Sequence, residues 1–259
     1  VLRKILYETN AQDLVNLYGD VFEIPLLTND GVVIPQIGLK EALRSEKYLN
    51  KVPTIAGSNK DEIKLWLGFS KYFIETNNSF LYRGIGIPRV KIKDEEKYQF
   101  YNDIRSKGWQ LRGVQEPLEN MFAAGNVDLY AYRYDWDNLR DFFVGDFRKI
   151  IGAAHALEIP MISGDFSLAE EFAWIIYPRS PSRRFVSKNM MNFWTEFAKN
   201  GVPGISSNNI LWNKYYPRTE KNIFHIDEKK NLRMDSLNLS MQELVNEILS
   251  SQIIDKEEK

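Results

Sequence analysis

Two periods of hydrophobic spacing alternate along the chain. In "VDLYAYRYDW", 127–136, Val127, Leu129, Ala131, Arg133 and Asp135 alternate with Asp128, Tyr130, Tyr132, Tyr134 and Trp136, which predicts a strand with one aromatic face. "KVPTIAG", 51–57, is short, apolar and β-branched, and predicts a buried strand closed at Gly57. Helical spacing takes over in "VSKNMMNFWTEFAKNGVPG", where Val186, Met190, Phe193, Trp194 and Phe197 form a core-facing stripe before Asn200, Gly201 and Pro203 stop it. "AQDLVNLYG" places Leu14, Leu17 and Tyr18 on one helical face with Gly19 to end it, and "KDEEKYQFYNDIRSKGWQL" has the spacing of a solvent-facing helix without assigned chemistry. Ser240 and Glu243 predict a capping box, with Leu239 as a staple against Leu244, and "DKEEK" reads as a solvated tail. Asp30-Gly31 supplies a turn. Strands interleaved with helices predict an α/β fold.

Composition narrows the function. At 259 residues, 44% hydrophobic and 13% aromatic, the chain can bury a sizeable core. A net charge of −1 argues against general attraction to nucleic acid or anionic membrane, and the absence of cysteine excludes disulfides, thiolate metal sites and cysteine catalysis. No apolar run reaches the roughly 18–20 residues of a membrane helix. The start, "VLRKILYETNAQDL", has neither an initiator Met nor a signal-peptide core, so a piece of a longer polypeptide is expected and the compartment stays open.

The chain has no G-x-S-x-G, Walker loop, dinucleotide fingerprint, H-E-x-x-H or EF-hand loop, and "RGIGIPR" lacks the third glycine of a phosphate cradle. Two histidines without cysteine argue against a metal cage. His225, in "NIFHID", reads as a surface or edge residue of a short strand. His155 sits in the small and apolar "GAAHALEIPMISG", 152–164, where a buried histidine with one satisfied hydrogen bond is the ordinary alternative to a functional one. The segment "DEIKLWLGF" directly follows a strand end, where α/β proteins keep their ligands.

"GSNKDE", 57–62, and "GAAHALEIPMISG" resemble two signature segments of the type-B carboxylesterases and cholinesterases. "TNDGVVIPQ", "DLYAYRYDW", "MMNFWTEFAKNGVPG" and "ILWNKYYP" occur in that family's order, in the look of its bacterial members. The resemblance implies that residues 1–259 are the C-terminal half of a single α/β-hydrolase domain, with a mostly parallel sheet and covering helices. It maps the acid of a Ser-His-Glu triad onto Glu62, the base onto His155, and a supporting acid behind them onto Glu158. Trp66, Phe69, Tyr72 and Phe73, just after Glu62, are candidate walls of a substrate pocket or plain core. The substrate implied is a small-molecule carboxylic ester of unspecified size, with no metal or organic cofactor. The nucleophile and oxyanion loop belong to the family's first half, a necessary partner without which this chain is expected to be inactive. Two departures stand out: Ala156 follows His155 where the family often has glycine, and Ile63 follows Glu62 where many members have glycine. Both are accommodated if φ is negative there. A non-catalytic adhesion relative of the neuroligin kind is the alternative, and retention of both Glu62 and His155 argues against it.

Overall fold

A computed structural model describes residues 2–16, 28–77, 88–255, 257 and 258. Leu17, Tyr18, Gly19 and the Gly84-Gly86 turn lie outside the described residues. The chain divides into two compact units, 1–42 and 43–259. The first carries the helices Leu2–Glu8 and Ala11–Asn16 and the turn at Asp30. There Gly31 has φ of 78°, and the Asp30 carboxylate accepts the N–H groups of Val32 at 2.8 Å and Val33 at 3.0 Å, which hold its carboxyl below the usual aspartate value.

The second unit is built on a four-stranded sheet in the order β1 (Thr54–Asn59), β4 (Leu129–Tyr134), β5 (Ile223–Ile226), β6 (Arg233–Asp235). β1, β4 and β5 run parallel, and β6 is antiparallel to β5. A separate antiparallel pair joins β2 (Ile74–Asn77) and β3 (Arg89–Ile92). This mostly parallel sheet covered by helices is the α/β architecture expected from the sequence. Among the described residues β1 is an edge strand, with β4 on one side only.

The alternation in β4 is present, but both of its faces are covered. Tyr130, Tyr132 and Tyr134 pack with Val186, Met190 and Phe193 of the helix Pro181–Asn200 and with Trp212. Leu129 and Ala131 point the other way, against Val114, Leu118 and Tyr215. Covering both faces needs helices on each, which is why the strand reads as aromatic on one side and aliphatic on the other. Gly57 does not close β1, which continues to Asn59. It sits opposite Tyr132, whose ring occupies the space a side chain at 57 would fill.

Other expectations need correction. The helix Glu95–Gln110 is not simply solvent-facing, because it buries Tyr98, Asn102, Ser106 and Gln110. Its continuation, a π-helical turn at Leu111–Gln115, re-aims the next helix, Glu116–Ala123, onto the sheet. Ser240 is the N-cap of Met241–Ser250, yet its side chain makes no capping bond, and Leu239 packs with the Leu118 cluster. The tail is tied down: the Tyr72 hydroxyl donates to Glu258, and Lys97 pairs with the same carboxylate at 2.8 Å.

His225 is buried, not at a surface or edge, because β5 lies between β4 and β6. Its Nδ1 stands 3.5 Å from both Asp135 and Asp235, with Arg133 and Arg233 on the same carboxylates. Burial dominates these charges and pushes its pKa from 6.5 down to about 4. The unfolded chain therefore takes up a proton that the folded chain refuses until lower pH. Stability contributed above pH 6.5 is lost as pH falls toward 4. His225→Gln is expected to flatten this acid limb in urea titrations taken across that interval, and equal slopes for the two proteins would refute the assignment.

Candidate active site

The site is assembled at the carboxyl end of β1. The ladder to β4 continues one residue past the strand, Lys60 N–H donating to Tyr134 O at 2.8 Å, and the chain then turns through Asp61 and Glu62. His155 arrives from elsewhere, on the turn after the helix Phe147–Ile150. Ninety-three positions apart in sequence, the His155 Nδ1 and Glu62 Oε2 are 2.7 Å apart.

The pair is asymmetric. Glu62 keeps only 5% of its side-chain surface exposed, whereas His155 keeps 41%. The Asn59 N–H donates to Glu62 Oε1 at 2.7 Å, so both carboxylate oxygens are engaged. Burial raises the Glu62 pKa above the usual glutamate value, opposed by the Asn59 and His155 hydrogen bonds, which favour the anion. With Glu62 ionised, Nδ1 must carry the proton, and Nε2 is left as the basic nitrogen. Such an arrangement can accept a proton from a hydroxyl and return it to a leaving group.

Asn59 joins the two loops. Its side-chain amide donates to Ala154 O and to Glu158 Oε2, both at 2.6 Å. Glu158 is thus placed behind Asn59, half-buried. Of the aromatics after Glu62, Trp66 lies against the His155 ring, with centroids 5.2 Å apart. Phe73 is buried among Leu67, Ile92 and Tyr98, Phe69 is exposed, and Tyr72 is engaged with Glu258 and Lys97. Two contributors went unassigned in the sequence. Trp109 lies beside Trp66, its ring centroid 5.3 Å from His155 and 6.0 Å from Trp66, and Asn59 stands in the sequence only as part of a motif. A tryptophan on a polar helix was the one available signal for the first. Among the described residues no group of three or more histidines and carboxylates is gathered as a metal would need, and no helix is long and apolar enough to cross a membrane.

One expectation about the loop fails. Ile63 has φ of −84°, but Ala156, directly after His155, has φ of 67°. Cβ crowding makes this conformation costly for alanine, while glycine gains unfolded-state entropy that offsets part of the relief. Ala156→Gly is therefore expected to stabilise the fold by about 0.5–1 kcal/mol, read as a higher urea midpoint. A lower midpoint would show that the strain is already relieved.

The profile of the carboxylesterase family matches residues 93–244, a stretch that holds His155 and Glu158 and begins after Glu62. Carboxylesterase 1D of Mus musculus is 28% identical over 199 residues, covering 67% of this chain and 33% of that protein. The crystal structure of the Geobacillus stearothermophilus carboxylesterase EST55 matches with a TM-score of 0.54 at 21% identity, over 86% of this chain and 47% of that one. A PNB esterase structure matches with a TM-score of 0.51 at 17% identity, over 95% of this chain and 50% of that one. At these identities the structural matches speak for the fold, and this chain spans between a third and half of the relatives it resembles. Because the profile matches more than half of its residues, the chain belongs to the carboxylesterase family.

Proposed function

We propose that this chain carries the base and acid of a Ser-His-Glu triad in a serine esterase acting on small-molecule carboxylic esters. The observation that carries the reading is the 2.7 Å bond between a buried, doubly held Glu62 and the half-exposed ring of His155. A serine oxygen attacks the ester carbonyl as His155 Nε2 takes the hydroxyl proton. Collapse of the tetrahedral intermediate breaks the bond to the alcohol oxygen, and Nε2 returns the proton to it. Water then attacks the acyl-serine by the same route, releasing the acid and restoring the serine. Glu62 holds the ring in the productive tautomer and stabilises the imidazolium, and Glu158 steadies Asn59 behind the pair.

The nucleophile and the oxyanion donors are assigned to the family's first half, outside residues 1–259. The edge of β1, unpaired among the described residues, and the half-length coverage of the solved structures support this division. The test is labelling with a serine-directed phosphonate. The chain alone is expected to give no label and no hydrolysis. Joined to the nucleophile-bearing half, in cis or as a second chain, it should give both, with the label on a serine outside these residues. A labelled serine within 1–259 would move the active site. An assembled protein that folds but neither labels nor hydrolyses would point to a binding relative.

A further inference from the structure

We propose that Asp61 is a positioning residue, fixing the loop of Glu62 to the loop of His155 through two hydrogen bonds to Ala153, its carboxylate held in place by a buried ion pair with Lys64. The proposal rests on reading Glu62 and His155 as the acid–base pair. Asp61 bonds the second loop twice at one residue: its N–H donates to Ala153 O at 3.1 Å, and its Oδ2 accepts the Ala153 N–H at 3.0 Å. Ala153 lies two positions before His155, and Asp61 one before Glu62, so this bridge sets the separation of the pair from the backbone side.

The bridge is built to be tight. Gly152 has φ of 55°, and a Cβ there would fall 2.4 Å from Asp61 Oδ2. Asp61 and Lys64 keep 1% and 6% of their side-chain surfaces, with Lys64 Nζ 3.1 Å from Oδ1, while Lys60 Nζ is 3.9 Å from Oδ2. The fourth support comes from the helix Glu95–Gln110, where Asn102 Nδ2 donates to Oδ1 at 2.8 Å. Ser106 on the same helix donates to Asn102 Oδ1 at 3.1 Å and accepts the Ile63 N–H at 3.4 Å. Both neighbours of Glu62 are thereby fastened to one rigid element. A buried ion pair adds little net stability but demands one geometry, which is what a site held from two distant segments requires.

The chain has two histidines, so a protein labelled with ¹⁵N-histidine reports on His155 directly. The Nδ1 proton shared with Glu62 gives a downfield signal, assigned by its loss in His155→Gln. In Asp61→Asn/Lys64→Met, which removes both buried charges together, unfolding is expected to stay cooperative while this proton exchanges with water about tenfold faster or more. Asn102→Ala, which leaves the charges in place, should move it in the same direction and decides the matter if the double variant does not fold. A folded double variant with unchanged exchange overturns the proposal, as does absence of the signal from the unaltered chain. Simple fold support would lower the unfolding midpoint and leave the exchange alone. Failure of phosphonate labelling would remove the esterase reading without altering this signal.

Discussion

His155→Ala in the assembled esterase is expected to lower kcat by on the order of 10⁴-fold or more, with KM for a small activated ester nearly unchanged. The imidazole is needed twice per half-reaction, to take the serine proton and to deliver it to the departing oxygen, and alanine does neither. Residual turnover would come from binding and oxyanion stabilisation alone. Glu62→Gln should leave more activity, since the base remains and only its tautomer and orientation suffer. Its amide can still accept from one donor, but turning its NH₂ toward Nδ1 places the ring proton on the wrong nitrogen. Stability should move the other way. Burial raises the Glu62 pKa in the folded state, so folding binds a proton there more tightly than the unfolded chain does. The carboxyl's contribution is fully present below its unfolded pKa and is lost as pH rises through the folded one. At neutral pH Glu62→Gln is therefore expected to unfold no earlier than the parent, which separates loss of function from loss of fold. Steady-state kinetics and thermal melts on the same samples check both, and equal kcat for parent and His155→Ala would refute the catalytic role.

The candidate site was partly legible because its chemistry is local. "GSNKDE" places Glu62 three positions past the end of β1 and "GAAHALE" places His155 in the turn after the helix Phe147–Ile150, each a short-range arrangement that survives as sequence spacing. What joins them does not. The carboxamide of Asn59 reaching Ala154 and Glu158, and Trp109 reaching His155 from a helix that otherwise reads as surface, depend on contacts across dozens of positions. The burial of His225 escapes the sequence for the same reason: four alternating residues predict a strand but not its neighbours, and β6 on its far side turns an edge residue into a buried one. Ala156 is a case of identity misleading about conformation, because alanine argues for negative φ and the loop imposes the opposite. The Ser240 capping box places the N-cap correctly but not its side-chain bond, which does not form. Long helices with clear stripes, such as Pro181–Asn200 ending at Gly201 with φ of 72°, were legible because propensity, period and cap agree.

Gly57→Ala is expected to destabilise the chain by about 3 kcal/mol or more, the upper end of what overpacking costs. The glycine lies in mid-strand, paired in register with Tyr132 of β4, and a Cβ at 57 would fall 2.1 Å from two carbons of the Tyr132 ring. No rotation of a methyl relieves such an approach, so either the ring or the strand must move. The ring is hemmed in by Trp194 at 5.1 Å and Trp212 at 6.2 Å, in a cluster that includes Phe193 and Phe224. Moving it disrupts the largest aromatic group in the core, and moving β1 shifts Asn59, two residues on, whose amide holds the His155 loop. Tyr132→Ala alone should also be costly, by roughly 3–5 kcal/mol, because it leaves a cavity beneath the tryptophans. In the double variant the methyl at 57 enters space that the ring has vacated, so the two losses should fall well short of additive. Urea midpoints at constant m-value measure all three proteins. A Gly57→Ala protein within about 0.5 kcal/mol of the parent would mean that Tyr132 has another place to go. Additive losses would mean that the glycine serves the strand's backbone and not its neighbour's ring.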